Sequence, residues 1–128
     1  MVPSTLDKAK ELQSRTKQFA LRVIRLSREL PRTDEGRVIG RQLLQSGTSV
    51  GGNYRAACWS RSTAEFASKI NVVAEEADES LFWLELLVES ETMPIHKMKG
   101  IIQEASELIA IFTASKNTAR KNRQSPTH

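Results

Sequence analysis

Apolar residues recur along this chain at alternating spacings of three and four, the pattern of amphipathic helices that share a core. The first run is Ala9, Leu12, Thr16, Phe19, Val23, Leu26 and Leu30. Ser4 or Thr5 caps its start, and Pro31 ends it, because a residue before proline is pushed out of the helical region. Thr33 caps a second helix with Asp34 and Glu35 in its first turn, where the helix dipole favours acids. Its seam is Ile39, Leu43, Ser46, Val50, Asn53 and Ala57, and the pattern predicts a helix to about Ser60. Ser62 and Glu65 form a capping box for a third helix, with Phe66, Ile70, Val73, Ala77, Leu81, Leu84 and Val88 on its seam. Pro94 suits the first turn of a fourth, whose seam is Ile95, Met98, Ile102, Ala105, Ile109 and Phe112. No stretch alternates with period two, so no strand is expected. Short links between helices favour antiparallel neighbours. The expectation is an all-α, antiparallel up-down-up-down four-helix bundle over residues 1–115. Residues 116–128 are basic and poor in large apolar side chains, and form an expected flexible tail.

One segment resists this pattern. Ser46-Gly47-Thr48-Ser49-Val50-Gly51-Gly52-Asn53-Tyr54 is built from turn residues. A phosphate-cradling loop is one reading, but no lysine follows the glycines as a P-loop requires. The unbroken seam favours a continuous helix. Each mid-helix glycine costs about 1 kcal/mol against alanine, which close packing must offset. Gly47 and Gly51 lie four apart, on one side, where another backbone can approach. Asn53 and Tyr54 suit buried hydrogen bonding that sets helix register.

Charge is unevenly spread. The net +4 over 128 residues resolves into +7 for residues 1–61, −7 for residues 62–93 and +4 for the rest. Charge complementarity between neighbouring helices or subunits is one explanation; a basic surface for nucleic acid is the other. Lys8, Arg15, Arg22 and Arg25 are expected on one face of the first helix. Arg37 and Arg41 share a face of the second, with Arg55 and Arg61 further along. Cations of this kind contact phosphates without reading sequence. The third helix has more apolar surface than a core stripe needs: Val72, Phe82, Trp83, Leu86 and Leu87 lie beside or beyond its seam, and Lys69, Glu76 and Trp83 recur every seven residues. With Trp59 at a hairpin tip, these residues mark an interface for self-association or for a protein partner.

Enzyme chemistry finds little support. His96 and His128 have no partners at ligand spacing, and Cys58 is the single cysteine. No metal, cofactor or triad pattern results. The acidic cluster Glu75, Glu76, Asp78 and Glu79 fits a solvated helix face better than an acid-base pair. A lone cysteine, no membrane span and no signal-peptide core suggest a cytoplasmic protein.

Residues Arg41 to Arg55, RQLLQSGTSVGGNYR, closely resemble the central motif of the bacterial 23S ribosomal RNA intervening-sequence proteins, a family of four-helix bundles. A second signature, Glu76 to Leu87 (EADESLFWLELL), follows at the family's spacing, and Ser62 with Glu65 to Lys69 also fits. The resemblance is strong over residues 37–87. It implies a ring-shaped homopentamer and kinship with the accessory variability proteins of diversity-generating retroelements, basic bundles that bind nucleic acid and a reverse transcriptase. The family usually has an acid after Tyr-Arg; Ala56 stands there in this chain. The expected function is a non-enzymatic oligomer that binds RNA or DNA weakly and without sequence preference, and that scaffolds a partner. A protein-interaction ring with no nucleic-acid role is the alternative.

Overall fold

The computed structural model describes residues 5–124, and the side chains of residues 6–121. Four helices follow one another: α1 (Thr5–Glu29), α2 (Asp34–Ala57), α3 (Thr63–Glu89) and α4 (Ile95–Gln124). Among the described residues there is no strand. Each helix packs mainly on the next in sequence, and α1 meets α4 over a smaller surface. This is the expected bundle.

The capping residues act as the sequence suggests, with one variation. Thr33 accepts a hydrogen bond from Gly36 N at 3.1 Å, and Ser62 accepts one from Glu65 N at 3.0 Å. The Glu65 carboxylate reaches past Ser62 and accepts from Arg61 N at 2.9 Å. The box thus closes on the residue before the cap. At the α3–α4 turn, Glu91 adopts a left-handed backbone, φ 61°. Glu91 N donates to Val88 O at 3.0 Å and Met93 N to Leu87 O at 2.9 Å, so the last carbonyls of α3 are satisfied.

α2 runs unbroken through the glycine segment, which excludes the loop reading. It stops at Ala57 rather than Ser60. Its buried row is Gly36, Gly40, Leu43, Gly47, Val50, Tyr54 and Ala57, with Ser46 beside it. That row is rotated slightly from the expected seam. Tyr54 is buried and Asn53 is only half-buried. A Cβ on Gly47 would lie 2.8 Å from Val23 Cγ2, and one on Gly40 would lie 2.9 Å from Leu30 Cδ1. Gly51 faces the α1 backbone, with Thr16 O 3.4 Å from its would-be Cβ. Gly52 meets nothing within 4 Å and does not pack. The two glycines expected to face another helix, Gly47 and Gly51, therefore both lie against α1.

The core joins Phe19 and Val23 of α1, Leu43 and Val50 of α2, Ile70 and Leu84 of α3, and Met98 and Phe112 of α4. Tyr54 packs its ring on Phe112, centroids 5.3 Å apart. Burial, with Cys58 nearby, pushes the Tyr54 phenol's pKa up, which keeps it neutral. Ser80 donates to Ser46 Oγ at 2.9 Å, and Ser46 donates in turn to Leu43 O at 3.3 Å. This buried relay links α2 to α3.

Three expectations about the core are corrected. Leu87 belongs to the core, fully buried, because α3 turns Ala67, Ala74, Ser80 and Leu87 inward together with the expected seam. Ile95 is exposed, since it opens α4 before that helix meets α3. The fourth helix also continues past Ser115 to Gln124 and buries Ala119, so the expected tail is helical as far as it is described. Its last residues, 125–128, lie outside the described residues, as does Ser4.

Candidate nucleic-acid interface

The antiparallel pair α1–α2 presents a groove on its outer side. Near one end, about 550 Å³ of it is lined by Lys10, Lys17 and Arg55, with Gln13, Gln18 and Thr48 between the cations and Gly51 and Gly52 in its floor. Near the other end, about 480 Å³ is lined by Arg28, Arg32, Arg37 and Arg41 over Gly36 and Gly40. Among the described residues no carboxylate lines either part. On α2 the residues Arg37, Arg41, Thr48 and Arg55 share one face through their four- and seven-residue spacings. On α1 the matching row is Lys10, Lys17 and Arg28. At 1.5 Å per residue the α2 row extends about 27 Å. All seven cations are exposed. Arg37 alone among them makes a described ion pair, with Asp34 at 2.9 Å, while also donating to Arg32 O.

The structure divides the eight expected phosphate-binding residues. Arg37, Arg41 and Arg55 line the groove. Arg15 and Arg22 face α4. Arg15 donates to both carboxylate oxygens of Glu104 at 2.8 Å and to Glu107 at 2.9 Å. The Arg22 guanidinium lies over Gly100, where a Cβ would come within 2.9 Å of it. Arg25 is exposed and lines neither part of the groove. Lys8 and Arg61 line a separate groove at the end of the bundle. Lys10, Lys17 and Arg28 of α1 and Arg32 of the following turn escaped the sequence reading because two basic rows flank the core face of α1, and spacing does not say which of them faces α4. Their signal was present: Lys10, Lys17 and Arg28 lie seven and eleven apart.

Arg15 is thus a clasp between α1 and α4. The Glu104 carboxylate, followed by that of Glu107, holds its guanidinium protonated well beyond the ordinary range. Gln103 first, and Arg15 second, hold the Glu107 carboxyl below its ordinary pKa. Arg15→Met should lower stability at pH 7 by about 1 kcal/mol, as a bidentate but partly exposed pair allows. A carboxyl whose pKa is lowered by folding stabilises above its unfolded value and loses that contribution as pH falls through the folded one. The difference between the two proteins, followed by thermal unfolding, should therefore narrow below the ordinary glutamate range. The substitution should leave nucleic-acid affinity unchanged.

The α3 face is less networked than its heptad spacing suggests. Lys69 pairs with Glu65 at 3.0 Å, not with Glu76. Among the described residues no hydrogen bond or ion pair reaches the Glu76 carboxylate. Burial, then Glu79, then Glu75 push its pKa up. The ionised form therefore opposes folding at pH 7, and that penalty is relieved as pH falls through the raised pKa. Glu76→Gln should give a small rise in Tm at pH 7 that disappears below the ordinary glutamate range. Phe82, half exposed, packs edge-on against Trp83 at 4.9 Å. Leu86 is half-buried beside them. Trp59, at the α2–α3 turn, is 81% exposed.

Among the described residues no three His, Cys, Asp or Glu side chains are grouped to hold a metal ion. No helix there is long and apolar enough to cross a membrane.

The chain matches the 23S rRNA-intervening sequence protein family over residues 8–114. No curated protein sequence matches it. It is similar to a crystal structure from Bacteroides thetaiotaomicron, described as a protein of unknown function from the S23 ribosomal protein family. The two share 31% identity and a TM-score of 0.76, over 81% of this chain and 96% of the other. The matched span takes in both signature segments and almost all of the bundle, and the chain belongs to the 23S rRNA-intervening sequence protein family.

Proposed function

We propose that this protein is a non-enzymatic, cytoplasmic bundle that binds nucleic acid through the phosphate backbone, along the α1–α2 groove. The observation that supports this is a track of seven cations with no lining carboxylate. The α3 segment, residues 62–93, carries a net charge of −7, so like charge is gathered on the side of α1 and α2. Among the described residues no aromatic side chain lines the groove to stack on bases. Binding is accordingly weak in sequence preference and steep in salt. The family description refers to 23S rRNA, which makes a structured RNA the first probe and a DNA duplex of equal length the second.

The test is fluorescence anisotropy of both labelled probes with the full-length chain, from 50 to 300 mM salt. Contacts with about four or five phosphates give a slope of log affinity against log salt near −4. Absence of any salt-dependent binding at the lowest ionic strength would remove the reading.

A second reading rests on the α3 face. Val72 and Phe82 are exposed on α3, and half-buried Trp83 packs beside Phe82, apolar surface suited to self-association. The family resemblance makes a pentameric ring the assembly of choice, one in which a weak groove is repeated and gains avidity. The same face suits a protein partner such as a reverse transcriptase. Sedimentation at micromolar concentration distinguishes these: a monomeric mass removes the ring.

A further inference from the structure

The two ends of the α1–α2 groove differ in chemistry. At one end Lys10, Lys17 and Arg55 are set apart by Gln13, Gln18 and Thr48. At the other, where the two helices are joined, every lining cation is an arginine. Arg28 stands in the last turn of α1, Arg32 in the connection, and Arg37 and Arg41 one turn apart on α2. All four are exposed and border one volume of about 480 Å³. The connection itself, Leu30-Pro31-Arg32, lines that volume, so a strand following the groove meets a wall there.

Four like charges around one volume repel one another. Arg37 alone of the four has a described acidic partner, Asp34 at 2.9 Å. That pair is exposed on both sides and readily exchanged for another anion. The cluster therefore carries more positive charge than its own helices neutralise.

Arginine and lysine answer phosphates differently. A lysine is a point charge, whereas a guanidinium offers a planar fork of two parallel N–H donors. An internal phosphodiester has one charge and two free oxygens, which a single fork can occupy. A phosphomonoester has three terminal oxygens and about 1.5–2 negative charges at pH 7. Spaced cations along a track suit the diesters. Four arginines against a wall suit the monoester.

We propose that the hairpin end of the groove holds the terminal phosphate of a nucleic-acid strand. The inference rests on the nucleic-acid reading above and gives it a direction. The strand lies along the track and ends at the α1–α2 connection.

An RNA hairpin with a stem of about eight base pairs matches the track of about 27 Å, at about 3.4 Å per phosphate. It is prepared with a 5′-phosphate, with a 3′-phosphate, and with hydroxyls at both ends, each labelled in the loop. Each form is titrated into the full-length chain by fluorescence anisotropy at about 150 mM salt. The expected result is that one phosphorylated form binds at least about tenfold tighter than the hydroxyl form. A hydroxyl-ended hairpin longer by one base pair adds two diester charges and should gain less than about twofold. Arg28→Gln combined with Arg32→Gln should erase the preference for the phosphorylated end. Lys10→Gln combined with Lys17→Gln should weaken all forms alike and keep that preference. Equal binding of the three forms would overturn this inference and leave the groove reading standing. So would an equal gain from the longer hairpin, or a preference that survives in the arginine variant. If no form binds even at low salt, the groove reading falls and this inference with it.

Discussion

Gly47→Leu is expected to lower stability by about 3 kcal/mol, at the upper end of overpacking effects, and to cut Tm by roughly 10 °C for a domain of this size. The reason is the partner that Gly47 meets. Its would-be Cβ falls 2.8 Å from Val23 Cγ2 and 3.0 Å from Cγ1. Val23 is fully buried and β-branched, with a nearly fixed χ1 in a helix, so it cannot turn aside. Relief requires α1 to move away from α2, and that strips contacts from Phe19 and Val50 as well. Gly47→Ala meets the same clash, offset in part by about 1 kcal/mol of helix propensity. Gly52→Ala should act in the opposite direction. Nothing lies within 4 Å of its Cβ, so it gains about 0.5–1 kcal/mol from propensity alone. Urea unfolding followed by circular dichroism measures all three. Similar responses at Gly47 and Gly52 would contradict the packing account.

Reversing the groove gives the largest expected change in binding. Lys10, Lys17 and Arg55 exchanged together for glutamate should lower RNA affinity at least about a hundredfold at 100 mM salt and flatten the salt slope by roughly 3. All three are exposed and make no described ion pair, so stability should change by no more than about 0.5 kcal/mol per site. Reversal of Arg22 and Arg25 is the control, since neither lines the groove. Affinity should then stay within threefold of the parent protein. If the control loses as much as the groove variant, the effect is one of net charge and the groove has no special role. Anisotropy at matched salt decides between them.

Much of this architecture is legible in local chemistry. Thr33 and Ser62 mark helix starts because a hydroxyl there answers an otherwise unpaired backbone N–H. Pro31 stops α1 for a reason internal to its own ring. The resistance of the glycine segment to a simple reading also has a physical origin. Hydrophobic periodicity cannot score a glycine as inside or outside, because glycine has no side chain to bury. Gly36, Gly40 and Gly47 become core positions only when Pro31 and Leu30 of the α1–α2 turn and Val23 of α1 lie against them. Ile39 and Asn53 stood in for them in the expected seam, rotating it by a fraction of a turn. The same small rotation moved Leu87 inward on α3.

The cations show a sharper limit. Spacing alone groups residues on a helix face, but it does not say which neighbour that face meets. Arg15 looked like a phosphate ligand until Glu104 and Glu107 were found across the α1–α4 seam, 89 and 92 residues away. Lys10 and Lys17 gain significance only when Arg55, Gly51 and Gly52 of α2 complete a groove beside them.

The chain by itself determined the class of fold, the helix starts, the continuity of α2 and the family signatures, because each depends on contacts within a few residues or on a fixed period. Tertiary structure alone decided what those signatures do for one another. Ser46 in the first reaches Ser80 in the second through a buried hydrogen bond 34 residues apart. It also decided which cations are neutralised and which are left facing a groove. Those outcomes depend on how two helices rotate against each other, and pairing across a bundle is set by side-chain volumes on both partners at once.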